Sequence, residues 1–164
     1  MGLFPTRILL ATDGSEEAEL AGLRAVDLAQ STDSELHVVY VGVVPSFLSD
    51  PGTLGDDGKL YEQIEAESRE LLRKESWRVK VAGGTVAGTH LRMGVVDLEI
   101  VALAKELGAD LIVMGCRGHR GIRRAIEGSI SDAVIRHSPC PVLVVRSHES
   151  AQDPKWPALS AGGQ

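Results

Sequence analysis

The apolar run Leu111, Ile112, Val113 and Met114 leads straight into GCRGHRGIRRAIEGS, residues 115–129, and this junction decides how the rest of the chain is read. Within it Gly115, Gly118 and Gly128 stand in the spacing GxxG(x9)GS, with Ser129 closing the pattern. A strand that ends in a glycine-bearing turn and enters a helix is how α/β proteins hold phosphate. Glycine lets backbone N–H groups approach an anion closely, and the helix start adds unpaired donors and the positive end of a dipole. Arg117, His119, Arg120, Arg123 and Arg124 crowd the same stretch, against Glu127 alone. Because salt limits charge effects to about 8 Å, this local cluster bears on a bound anion more than distant carboxylates do. The other reading is a solvated basic loop without a ligand.

Outward from this junction the chain alternates strand-like and helix-like segments, the pattern of a parallel sheet with helices on both faces. Towards the N-terminus, residues 7–12 (RILLAT) form the first strand, broken by Asp13, Gly14 and Ser15, and a helix runs to about Gln30. Residues 36–44 (LHVVYVGVV) are apolar on both faces and belong to the sheet interior. A long segment rich in Pro, Gly and Ser, 45–58, reads as an exposed lid or insert. The second helix spans about Lys59 to Lys80, with Leu60, Ile64, Ser68, Leu71 and Leu72 on one face and a solvated Glu, Arg and Lys-rich face opposite.

Residues 86–93 alternate Thr89, Leu91 and Met93 against His90 and Arg92, which suits a half-exposed edge strand. A third helix, 95–107, stops at Gly108; strand four covers 110–115, helix four 128–137 and strand five 141–146 (PVLVVR). The fold expected is a single-domain, Rossmann-like open sheet of five parallel strands. If its order is 3-2-1-4-5, strands one and four lie side by side and the winding reverses between them, where such sheets bind ligands. Val142 to Val145 are apolar without alternation, and an uncovered edge of that kind aggregates. A second copy of the chain pairing across strand 141–146, or a helix or tail folded over it, would resolve this.

Composition narrows the classes. At 164 residues the chain fits one domain able to bury roughly 70% of its unfolded surface. A net charge of -6 argues against a general nucleic-acid binder, and no apolar stretch approaches the about 20 residues of a membrane span. Cys116 and Cys140 make neither a disulfide framework nor a metal pair. The start, MGLFPT, lacks the layout of a signal peptide and fits the loose MGxxxT myristoylation pattern only as it runs into strand one, so a cytoplasmic location is expected.

Asp13, at the end of strand one, has two readings: a carboxylate for ribose hydroxyls or Mg²⁺, or a turn residue serving the helix start. Ser129 also has two, since Ser129 and Asp132 have capping-box spacing while the Ser129 hydroxyl and N–H suit a phosphate; Ser131 is a second candidate. GxxxxGK[ST], GxGxxG, GxSxG and HExxH are all absent, and the five histidines show no ligand spacing.

RILLATDGSEEA, GADLIVMGCRG and GS(x9)PCPVLVVR together resemble the universal stress protein family over residues 5–146, and the GxxG(x9)GS pattern resembles its ATP-binding branch. The resemblance implies a five-stranded fold of order 3-2-1-4-5, like that of the adenine nucleotide alpha hydrolases. It also implies ATP or a related adenine nucleotide as ligand and a homodimer through strand five. It puts Asp13 beside adenine and ribose with Thr12 and Gly14 next to it, and Val41 and Met114 against the base. Gly115, Arg117, Gly118, Gly128, Ser129 and Ser131 fall at the ribose and phosphates. The related ATP pyrophosphatases carry SGGxDS after strand one, where this chain reads ATDGSE. The expectation is a domain over 1–146, a flexible tail over 147–164, and a nucleotide-binding stress-response regulator with at most slow ATP hydrolysis and no catalytic residue named. The alternatives are an interaction module independent of nucleotide, or a phosphotransferase or hydrolase acting with a partner.

Overall fold

The computed structural model describes residues 6–45, 57–116 and 129–147. Along them run β1 (Arg7–Ala11), α1 (Glu16–Thr32), β2 (Glu35–Gly42), α2 (Asp57–Val81), β3 (Val86–Met93), α3 (Val96–Leu107), β4 (Leu111–Gly115), α4 (Ile130–His137) and β5 (Val142–Val145). The strands form one parallel sheet of order β3-β2-β1-β4-β5, as the alternation and the resemblance led us to expect. Its two faces are buried under different helices. Ile8, Leu10, Val38 and Val113 pack with Ala21, Ala25 and Val26 of α1 and Leu72 and Val79 of α2. Leu9, Val39 and Ile112 pack with Ile100, Leu103 and Ala104 of α3 and Val134 of α4. Adjacent residues of β1 thus point into opposite cores, and every large apolar side chain so buried contributes about 1.5–3 kcal/mol.

Helix α1 starts at Ser15, whose hydroxyl oxygen accepts the Ala18 N–H at 3.2 Å, with Glu16, Glu17 and Glu19 complementing the positive end of the helix. It continues past the expected Gln30 to Thr32 and closes on Asp33, a non-glycine residue in the left-handed region at φ 52°. Aspartate tolerates that conformation, so the stop carries no glycine to mark it. Asp110, just before β4, accepts from the backbone N–H of Thr6 (3.0 Å) and Arg7 (3.1 Å) and from the Thr6 hydroxyl (2.6 Å). These bonds hold its carboxyl below the ordinary range and join segments 104 residues apart.

Two expectations about faces need correction. Strand β3 is the half-exposed edge strand expected, but its His90 and Arg92 side is only partly open to water. Arg92 pairs with Glu106 and, at 3.9 Å, Glu99 of α3, while Thr89, placed with the apolar set, is exposed. Helices lie against both faces of the edge strand, so its polar side meets charge as well as water. Helix α2 buries Ser68 and Leu72 of the face expected, with Ile64 and Leu71 half-buried, and departs from it at two points. Leu60 is exposed, and the buried stripe runs through Ser68, Leu72, Glu75, Ser76 and Val79, placing one carboxylate of the supposedly solvated face inside.

Strand β5 is the opposite edge, and Leu143 there is exposed. Residues 46–56 of the expected lid, and the tail beyond Ser147, lie outside the described residues. Among the described residues no helix is long and apolar enough to cross a membrane.

Candidate functional site

The carboxyl ends of β1 and β4 lie side by side, with Ala11 opposite Met114, at the point where the sheet reverses its winding. After Ala11 the chain turns sharply. The Thr12 N–H still donates to Val39 O (3.0 Å), Gly14 adopts φ +76°, and the Asp13 carboxylate accepts the Ser15 N–H at 3.0 Å. The positive φ explains the glycine, since a side chain there would be strained. Asp13 therefore serves the helix-start turn, as one of its readings had it, while remaining half-buried at the sheet end.

The end of β4 reaches the same region. A Cβ added to Gly115 would lie 2.9 Å from the carbonyl carbon of Glu17 and 3.0 Å from the Ala18 nitrogen, backbone atoms in the first turn of α1. From sequence this glycine falls at the ribose and phosphates of a ligand. The fold needs it for close approach of β4 to α1 whether or not a ligand is bound, a role that shows only once the helix is packed.

The start of α4 completes the arrangement. Ser129 is its N-cap: the Ser129 hydroxyl accepts the Asp132 N–H (3.2 Å) and the Asp132 carboxylate accepts the Ser129 N–H (3.4 Å), a full capping box. The hydroxyls of Ser129 and Ser131 are 2.8 Å apart, and Ser131 donates to the carbonyl of Cys116 at 3.3 Å. The residue just after β4 and the first turn of α4 are thus tied together through serine side chains. Val41 and Met114, at the ends of β2 and β4, are both almost fully buried in the core under α3 and α4. Arg117, Gly118 and Gly128, with the basic side chains between them, lie outside the described residues.

Of the residues singled out, the structure gathers Thr12, Asp13, Gly14, Met114, Gly115, Ser129 and Ser131 at the ends of two neighbouring strands and one helix start. Glu75 was not among them. Its side chain, 5% exposed, accepts the Thr12 hydroxyl at 3.2 Å. The signal was present in the spacing of Ser68, Leu72, Glu75 and Val79, which places all four on one helical stripe. His37 and His90, which show no ligand spacing in sequence, are also neighbours, their ring nitrogens 3.1 Å apart. Among the described residues no group of three His, Cys, Asp or Glu side chains is arranged to hold a metal ion.

A parallel sheet of this order, with a glycine-bearing β4 end facing the β1 turn, defines a Rossmann-like open α/β domain. The universal stress protein family matches residues 5–146, and the chain belongs to that family. A putative universal stress protein of Staphylococcus haemolyticus is 40% identical over 147 residues, covering 89% of this chain and 87% of the relative. The universal stress protein UspA from Lactobacillus plantarum superposes with a TM-score of 0.75 at 27% identity, over 88% of this chain and 100% of that one. A universal stress protein in complex with cAMP superposes with a TM-score of 0.62 at 28% identity, over 86% and 97% of the two chains.

Proposed function

We propose that this protein binds ATP or a related adenine nucleotide across the ends of β1 and β4, and acts as a cytoplasmic regulatory homodimer in a stress response. The observation that carries the reading is the meeting of three elements. The Asp13 turn, the Gly115 end of β4 and the Ser129–Ser131 start of α4 converge where an open α/β sheet takes its ligands. The cAMP complex of a relative with the same fold supports an adenine nucleotide as the ligand class. In this reading Asp13, flanked by Thr12 and Gly14, faces adenine and ribose, and Val41 and Met114 offer the base what apolar surface they retain. Gly115, Arg117, Gly118, Gly128, Ser129 and Ser131 surround ribose and phosphates.

The α4 start suits a phosphate because its N–H groups point out of the helix, although Asp132 in the first turn limits how near the charge sits. A Mg²⁺ ion would take most of its ligands from phosphate oxygens and water, with Asp13 as the nearest carboxylate on the β1 turn. The role is one of holding nucleotide, with hydrolysis at most slow. Titrating the purified protein with ATP, ADP, AMP and cAMP tests it, alongside analysis of the supernatant after denaturation. Saturable binding at micromolar to low millimolar nucleotide that is lost in Asp13→Ala and Gly118→Val is expected. No binding in the wild type, or equal binding in both variants, rejects it.

A further inference from the structure

We infer that Glu75 of α2 is a positioning residue for the β1 turn, an inference that rests on the nucleotide reading of that turn. Glu75 comes from a helix with no part in the glycine motif, yet its carboxylate lies directly behind the turn. A Cβ built on Gly14 would meet Glu75 Oε1 at 3.7 Å. Glu75 Oε2 accepts the Thr12 hydroxyl proton at 3.2 Å, and the Thr12 oxygen in turn accepts the Gly14 N–H at 3.3 Å. Glu75 Oε1 accepts from Arg78 at 2.9 Å, and Arg78 also pairs with Glu19 of α1.

The donor and acceptor directions make this chain specific. An ionised carboxylate only accepts, so it sets which way the Thr12 O–H points and leaves the oxygen lone pairs for the Gly14 amide. That amide sits at the left-handed residue separating Asp13 from Ser15, and its orientation sets where the Asp13 carboxylate is held. Both partners of Glu75 donate, but Arg78 is half-exposed and keeps Glu19, whereas the Thr12 hydroxyl is buried. Leucine of similar size offers that hydroxyl no acceptor, and a buried donor left without one is costly, which concentrates the effect on the turn.

The test uses the full chain with ATP as probe. Glu75→Leu and Thr12→Val are each expected to weaken ATP binding about 5- to 30-fold, the equivalent of one buried hydrogen bond. The double variant should be little weaker than either single one, because both cut the same chain, and Thr12→Ser should bind within about twofold of wild type. A merely structural Glu75 would lower the melting temperature and leave ATP affinity unchanged in the folded protein, and that result overturns the inference. If the wild type binds no nucleotide, the nucleotide reading fails, and positioning is judged separately by amide hydrogen exchange. Gly14 and Ser15 should then exchange about tenfold faster in Glu75→Leu and Thr12→Val and at the wild-type rate in Thr12→Ser. Equal rates in all four proteins overturn it.

Discussion

Nδ1 of His37 on β2 lies 3.1 Å from Nε2 of His90 on β3, two imidazoles brought together across 53 residues by the parallel register of the strands. Around them stand Glu35, which pairs with Arg7 at 2.8 Å, and Arg92, which pairs with Glu99 and Glu106 of α3. His37 Nε2 comes within 3.5 Å of Glu35, inside ion-pair reach but without a hydrogen bond.

Stability should fall as pH drops through the histidine range. Burial, then the proximity of His37 and of Arg92, lowers the pKa of His90 from 6.5, against a smaller opposing pull from Glu106. The unfolded chain therefore binds more protons than the folded one below pH 6.5, so the stability present above that value is lost as pH falls. Urea midpoints measured from pH 7 down to about pH 5 should decline in the wild type and decline less in His90→Gln. Parallel slopes would remove His90 from the explanation. Glu35 and Asp110, also lowered, act below their ordinary values of 4.5 and 3.8 and leave this window clear.

Replacing Gly115 by alanine should cost about 1–3 kcal/mol, because the new methyl meets backbone of α1 and neither element yields without moving the other. Urea denaturation without nucleotide reads this directly. A cost near zero would mean that β4 and α1 separate freely, and the glycine would then owe its place to a ligand alone.

The two roles of Ser129 are separable by one substitution and two measurements. Ser129→Ala removes the cap of α4 and should destabilise the ligand-free protein by about 1 kcal/mol. If the hydroxyl also meets phosphate, ATP affinity falls in the same variant while the protein is still folded. Lost stability with intact affinity would leave Ser129 as a cap only.

Strand β5 offers a test of assembly. Leu143 is exposed on an edge strand of otherwise apolar sequence. Leu143→Arg should convert a dimer to monomer in sedimentation at tens of micromolar protein, with the helical circular dichroism unchanged. A wild-type monomer at that concentration would dispose of the β5 interface.

Most of the fold was legible because the strands of a parallel sheet are apolar on both faces, and the runs Ile8–Ala11 of β1, Val38–Val41 of β2 and Leu111–Met114 of β4 show this. The order of strands came from the family resemblance. The ends of elements were less legible where a non-glycine residue such as Asp33 closes a helix. Side-chain partnerships across elements were the least so. Glu75 reads as one more charge on a charged helix until Thr12 is opposite it, and the histidine pair exists only through the β2–β3 register. The glycine pattern is plain in sequence, but its middle, residues 117–128, lies outside the described residues, so its geometry rests on the two ends.

The adjacency of β1 and β4, with Asp110 clasping Thr6 and Arg7, has a consequence for synthesis on the ribosome. Chains emerge from the N-terminus, and early segments collapse before late ones exist. A nascent chain carrying β1, β2 and β3 would display the Asp13 turn with no glycine end beside it and no α4 serines above it. The proposed site is therefore assembled last, and a truncated translation product lacks it however well its first half has folded.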